Sequence, residues 1–379
     1  MGIARFFGGR FIWKFFLVTL FFVSLAFAPY VDACTSFSVK TADGAVIFVR
    51  TMEFAVDLHS TVTVVPRNHN FVGTAPGGKS GKRWKTKYAF LGPNFVYENN
   101  FIMDGMNEKG LSAALLFFPG YAKYQEVKPD QYDMTIAPEE LCTWILSRFS
   151  TIEEVKSNID QVKVAAIKNN ILGFVPPLHY VVHDTDGNCL VIEYLHDGVK
   201  LYDNPLGVMT NSPPFDWHLI NLRNYVNLKA QNVAMEKLGD LTLSPIGSGS
   251  GLLGLPGDFT PPSRFIRIAF LSQNATPVKT AEEGVNLGLH LINNIDIALG
   301  TVRQKRGEKE ELEITQYLVL YDLKNRKLHF RTYKNQDIRV VDMAKLDLES
   351  TVIKNIPMSQ KPQYMDVSDM AKHLSNKAK

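Results

Sequence analysis

Three cysteines occur among the 379 residues, and two of them sit in patterns that would bury them. Cys142 lies in "EELCTWILSRF", a helical pattern, and Cys189 in "GNCLVIEY", a strand pattern; both read as small core residues. Cys34, in "PYVDACTSF", stands directly behind an apolar run. Cut free at its nitrogen, Cys34 would carry a thiol and an α-amine on adjacent carbons. That amine has a reference pKa of about 7.7–8.0 and works as a base near neutral pH. The thiol, at about 8.5, is a nucleophile that a nearby cation activates. Such chemistry also needs a positive charge for the thiolate, a carboxylate to orient the amine, and donors for a developing oxyanion. Arg50 and Glu53 lie where the second strand of a hairpin would return past Cys34. The plainer alternative makes both of them surface residues of that hairpin, and the pairing alone does not choose.

Residues 1–33 provide the cut. Arg5, Arg10 and Lys14 precede an uncharged apolar core from Phe15 to Ala28, and Val31 and Ala33 place small residues three and one positions before Cys34. This is the pattern of a secretory signal peptide. The core falls short of the about 20 apolar residues that a membrane-spanning helix needs. The membrane is therefore expected to be met only through this transient segment, and the protein to be exported, periplasmic or secreted. Removing a leader with three positive charges and one negative takes the net charge from +3 to near +1. That balance gives no reason to expect a nucleic-acid partner. An odd cysteine count leaves at least one free thiol. At 45% hydrophobic and 21% charged, the chain has the composition of an ordinary globular protein with a large core.

Four hairpins should position these residues. "CTSFSVKTADGAVIFVRTMEF" turns at Asp43-Gly44, a two-residue turn signal. "FIMDGMNEKGLSAALLFFPG" turns around Asn107 to Gly110, "LHYVVHDTDGNCLVIEYL" at Asp186-Gly187, and "ITQYLVLYDLKNRKLHFRTYK" at Lys324-Asn325. Between them come helices: capping boxes begin at Thr151 and Thr280, and a further helix should follow Ser263. Hairpins at both ends of the chain with helices between and after them predict an α+β layered domain without an internal boundary. The last stretch, 354–379, is polar and lysine-rich and reads as a docked or frayed tail.

Other motifs are weaker. Gly249, Gly251 and Gly254 match G-x-G-x-x-G, but three prolines follow where a nucleotide-binding helix should begin, so a mobile loop near a cleft is the better reading. His179 and His183 fall on one face of a strand with no cysteine or carboxylate cluster nearby, which fits core placement better than metal ligation. No G-x-S-x-G nucleophile elbow is present.

Four segments, "ACTSFSVKTADGAVIFVRTMEF", "DGMNEKGLSAALLFFPG", "NPLGVMTNSPPFDWHLINLRNY" and "GLPGDFTPPSRFIRIAFL", occur in this order over residues 34–270. Together they resemble the choloylglycine hydrolase family of N-terminal nucleophile hydrolases, which holds conjugated bile salt hydrolases and penicillin V acylases. The resemblance implies a four-layer αββα sandwich of mainly antiparallel sheets, an amide hydrolase domain over 34–353, and cleavage of linear amide C–N bonds without a cofactor or metal. It matches Cys34 to the nucleophile, Arg50 to the arginine beside it, Asn211 to the oxyanion asparagine and Arg264 to a second arginine near the site. Phe117 falls where a backbone N–H serves the oxyanion. Glu53 stands where the family usually has an aspartate that binds the nucleophile's amine; one extra methylene puts that role in question. The implied partner is a small-molecule amide, first a glycine- or taurine-conjugated bile salt, with penicillin V and N-acyl homoserine lactones as alternatives, and a homo-oligomer would fit. The rival from another class is a lipid-anchored, non-catalytic binding protein with Cys34 acylated; Asp32 fits a lipoprotein signal poorly.

Overall fold

The computed structural model describes residues 34–371, Tyr97 excepted, so the leader expected over 1–33 lies outside the described residues. In chain order the main elements are strands β1 (Thr35–Lys40), β2 (Val46–Phe54), β3 (Thr61–Val65), β4 (Phe90–Phe95), β5 (Glu98–Ile102), β6 (Asp104–Asn107) and β7 (Ser112–Phe117). Helices α1 (Leu141–Arg148) and α2 (Ile152–Asn158) follow, then β8 (Leu178–His183), β9 (Cys189–Leu195) and β10 (Gly198–Asp203). Helices α3 (Phe215–Leu222), α4 (Pro261–Asn274) and α5 (Ala281–Ile292) precede β11 (Val302–Arg306), β12 (Lys309–Asp322), β13 (Lys327–Thr332), β14 (Asn335–Asp342) and β15 (Lys354–Pro357).

One antiparallel sheet runs β1-β2-β12-β13-β14, with β11 on β12; the other runs β10-β9-β8-β7-β6-β4-β3-β15, with β5 on β4. Helices α4 and α5 pack on the first sheet and α1 on the second, which makes the αββα sandwich. Strand β2 is buried along its whole length, because it is central in its sheet and covered on both faces. Helix α5 approaches it through Gly284 and Gly288: a Cβ at Gly288 would come within 2.9 Å of Leu320 and 3.0 Å of Val49. The four expected hairpins all form.

Local differences have local causes. The first turn uses three residues, not two: Thr41 N–H bonds the Ala45 carbonyl at 3.0 Å, and Gly44 takes φ +79° in the left-handed region. At Thr280 the capping box is complete, whereas at Thr151 the cap accepts from Glu154 N–H and the Glu154 carboxylate reaches back to Ser150. Helix α4 starts two residues ahead of Ser263, since proline is well tolerated in a first turn. The segment read as a polar tail begins with β15, which pairs with β3, so its first four residues belong to the sheet. The glycine-rich loop near 250 is a short turn, and none of its residues lines the space at Cys34.

Candidate active site

The β1–β2 register pairs Thr35 with Thr51 and Ser36 with Arg50, which brings the Arg50 side chain back to Cys34. Side chains on a strand alternate faces, so Arg50 and Met52 share one face of β2 and Thr51 and Glu53 the other. Arg50 Nη2 stands 3.7 Å from Cys34 Sγ, and Met52 Sδ lies 3.9 Å from the same sulfur. Cys34 and Arg50 are both buried. Arg50 also crosses to the opposite sheet: Nη1 ion-pairs with Asp104 on β6, and Nη2 donates to the Leu115 carbonyl on β7 at 2.7 Å. Asp104 is completed by the hydroxyls of Tyr317, at 3.0 Å, and Tyr321. Burial opposes the Arg50 charge, but Asp104 and the neighbouring Tyr317 and Cys34 outweigh it, and the group sits above its ordinary pKa.

Arg264, at the start of α4, reaches the other side of Cys34. Its Nη1 donates to the Cys34 carbonyl at 2.6 Å and to the Thr35 hydroxyl, its Nε to the Phe259 carbonyl at 2.8 Å, and its Nη2 to Asn211 Oδ1 at 2.8 Å. With Oδ1 so held, Asn211 Nδ2 donates to the Phe117 carbonyl at 2.8 Å. The Phe118 amide bonds the Pro177 carbonyl across to β8, so the backbone amide and carbonyl of Phe117 face away from β8, toward Asn211. Arg264 therefore fixes the Cys34 backbone and the Asn211 side chain in one guanidinium plane.

Glu53 is fully buried on that second face. Its oxygens accept from the Thr51 hydroxyl at 3.0 Å and the Thr315 hydroxyl at 2.9 Å. Burial foremost pushes its pKa up to about 8, against the pull of Arg264 and the two hydroxyls. In a chain still joined to Ala33, the Cys34 nitrogen is a peptide amide, so an ammonium partner for Glu53 exists only after cleavage.

The structure thus gathers Cys34, Arg50, Phe117, Asn211 and Arg264, with Glu53 beside Arg264. Sequence reasoning did not single out Asp104, Tyr317 or Tyr321. An aspartate inside the apolar strand run "FIMDGM" was the available signal. The other two thiols are different in kind. Cys189 Sγ lies 3.5 Å from His183 Nε2, but burial drives the thiol upward and the imidazole down to about 3, so the pair is neutral. Burial likewise raises Cys142. Among the described residues no group of three or more His, Cys, Asp or Glu is arranged to hold a metal ion.

The space in front of the sulfur is lined by Phe54, Phe95, Phe101, Phe117, Met103 and Leu172, and encloses about 20 Å³, room for about one water. A larger cavity of about 720 Å³ lies along the loop after β2, past Asp57, Tyr333 and Lys334, and its lining contains neither cysteine nor arginine. The chemistry, not the larger volume, marks the site.

Comparison with known proteins identifies the family. A sequence profile of the linear amide C–N hydrolases, choloylglycine hydrolase family, matches residues 34–356. The chain belongs to that family. It is 36% identical over 327 residues to a bile salt hydrolase/transferase from Clostridium perfringens, covering 85% of this chain and 95% of the relative. It is 33% identical over 343 residues to one from Lactiplantibacillus plantarum, covering 88% and 100%. A crystal structure of a variant of conjugated bile acid hydrolase from Clostridium perfringens superposes with a TM-score of 0.78 at 33% identity, over 88% of this chain and all of that one. Penicillin V acylase from Agrobacterium tumefaciens shares the fold, with a TM-score of 0.69 at 22% identity over 86% and 91%. The protein is a choloylglycine hydrolase family member, a linear amide C–N hydrolase with the N-terminal nucleophile sandwich.

Proposed function

We propose that the protein is an exported cysteine amidase that deconjugates glycine- or taurine-linked bile salts, with Cys34 as its N-terminal nucleophile. The observation that carries this reading is the double hold on Cys34: Arg50 beside the sulfur, and Arg264 joining the Cys34 carbonyl to Asn211. The family match also starts at Cys34. Cleavage after Ala33 frees the α-amine, which takes the thiol proton as sulfur attacks the amide carbonyl. Asn211 Nδ2 has two hydrogens and gives one to Phe117, leaving the second for the oxyanion. The Phe117 N–H faces the same side and supplies the second donor. The ammonium then protonates the leaving nitrogen, the C–N bond breaks, and an acyl thioester remains on Cys34. Water attacks it, gives its proton to the amine, and releases the acid and the thiol.

The apolar lining suits the acyl half of such a substrate. Drug-sized ligands occupy cavities of about 300–1,000 Å³, far above the space enclosed here, so binding requires lining side chains such as Phe95, Phe101 and Leu172 to give way. A hydrolysis panel on the processed protein tests the reading: glycocholate, taurocholate, penicillin V and a long-chain acyl homoserine lactone, compared by initial rate. The conjugated bile salts should be cleaved fastest, and Cys34→Ala should cleave none. Turnover by Cys34→Ala would remove the nucleophile assignment. Preference for penicillin V or the lactone would keep the mechanism and change the substrate.

A further inference from the structure

Behind Asn211 lies a fully buried polar layer that the mechanism above does not use. It consists of His218 on α3, His179 on β8 and Glu193 on β9. His218 Nε2 lies 2.9 Å from the Asn211 main-chain carbonyl. A carbonyl only accepts, so Nε2 carries the proton. Burial, first of all, depresses the imidazole to about 4, against the pull of the Asn211 and Pro213 carbonyls, so the ring is a neutral donor. Its position is set from two directions. The helix that carries it starts at Phe215, whose N–H donates to Glu193 Oε1 at 3.0 Å; His179 Nδ1 lies 3.1 Å from that same oxygen. The His218 ring also stacks on Phe265 at 4.6 Å, the residue after Arg264.

The layer touches both sides of the oxyanion site. His179 stacks face to face on Phe118 at 4.2 Å, one residue beyond Phe117. Thr210 and Ser212, on either side of Asn211, bond the carbonyls of Pro261 and Pro119 at 3.0 and 2.8 Å. Arg264 and Phe117 set the Asn211 side chain, and His218 sets its peptide. An oxyanion donor works because its dipole is fixed before the charge appears, and a tilt of that peptide would swing Nδ2 away.

We propose that His218 is a positioning residue for amide cleavage: by donating to the Asn211 carbonyl it aims the free Nδ2 hydrogen at the developing oxyanion. The proposal rests on the reading of Asn211 as an oxyanion donor, and the test separates the two. His218→Phe keeps a flat ring against Phe265 and removes the donor; His218→Gln keeps an N–H at comparable reach. With Asn211→Ala and the Asn211→Ala/His218→Phe double variant they form a cycle, read as kcat and KM on whichever amide the processed enzyme cleaves, with melting temperature recorded for each.

His218→Phe should lower kcat about tenfold at nearly constant KM, and His218→Gln should recover most of it. Asn211→Ala should lose about 100-fold, a loss of the size seen for one oxyanion donor. If His218 acts through Asn211, the double variant loses no more than Asn211→Ala alone. Multiplicative losses, or an unchanged kcat in His218→Phe, would overturn the positioning role. Undiminished activity in Asn211→Ala would overturn the oxyanion reading beneath it. If His218→Phe does not fold, His218→Leu replaces it in the cycle, and a kcat for His218→Gln as low as for His218→Leu rejects the proposal.

Discussion

Two arginines flank Cys34, both fully buried, and burial acts on them alike, yet their pKa values move in opposite directions. Arg50 is matched by Asp104, which two tyrosine hydroxyls complete, and its pKa rises. The hydrogen-bond partners of Arg264 are all neutral: two backbone carbonyls, a threonine hydroxyl and the Asn211 amide oxygen. The carboxylate that acts on it most strongly, Glu53, is pushed by burial toward its protonated form, and the pKa of Arg264 falls, with Glu53 and Cys34 offsetting burial only in part. One arginine is half of a closed ion pair between the sheets. The other leaves surplus positive charge beside Cys34, where a thiolate or an oxyanion would meet it. Arg50 holds the architecture around the sulfur, and Arg264 holds the polar geometry of the reaction.

The largest effect should follow from opening the closed pair. Asp104→Asn leaves Arg50 as a buried charge without its counter-ion, and such breaks cost about 3–5 kcal/mol. Chemical denaturation of the purified variant should show a loss of that size. A cost below about 1 kcal/mol would mean that the tyrosines and the Leu115 carbonyl suffice for Arg50, and the contrast with Arg264 would lose its basis.

Next in size is the effect on catalysis of replacing each guanidinium by an ammonium. Arg264 serves acceptors around one plane, and a lysine cannot reach Cys34, Phe259 and Asn211 together. Arg264→Lys should therefore lower kcat/KM about 100-fold, the scale of losing an oriented oxyanion donor. Arg50→Lys keeps a charge near both Asp104 and the sulfur and should lose about tenfold, with the smaller loss reflecting retained Coulomb attraction. The reverse order of losses would show that the contact to sulfur, not the hold on Asn211, dominates.

How much of this contrast was legible in the sequence follows from the distance over which each part is specified. The Cys34–Arg50 pairing was readable because one short turn fixes the register of one hairpin, even though the turn uses three residues rather than two. The helices around Thr280 and Cys142 were readable from caps and periodicity. Asn211, Arg264 and Phe117 came from the family resemblance alone, since no local rule joins a loop after β10, the start of α4 and the end of β7. Asp104 and His218 were not singled out, because a buried carboxylate or imidazole becomes informative only once its partner strand is known. The 354–379 stretch shows the same limit: β15 is polar in sequence and becomes a strand by pairing with β3.

The smallest effect concerns Glu53 and sharpens the Arg264 side. Free glutamate titrates near 4.5, and the folded group near 8. Between these values the folded chain keeps a proton that the unfolded chain has lost, so stability falls as pH rises through that window. Buried His183 and His218, depressed to about 3 and 4, act with the opposite sign below about 6.5, and Glu139, raised by burial to about 7, acts with the same sign as Glu53 below that value, so the cleanest interval is pH 7 to 8. There, a chain with Ala33 still attached should melt at lower temperature as pH rises, and Glu53→Gln, which mimics the protonated acid, should flatten that slope. Cleavage adds an amine of pKa about 7.7–8.0 at Cys34. If Glu53 takes the place of the family's aspartate and holds that ammonium, its pKa drops on processing, and the processed enzyme should lose most of the slope without any mutation. Equal slopes before and after cleavage would leave Glu53 as a partner of Thr51, Thr315 and Arg264 only, and the amine would need another anchor.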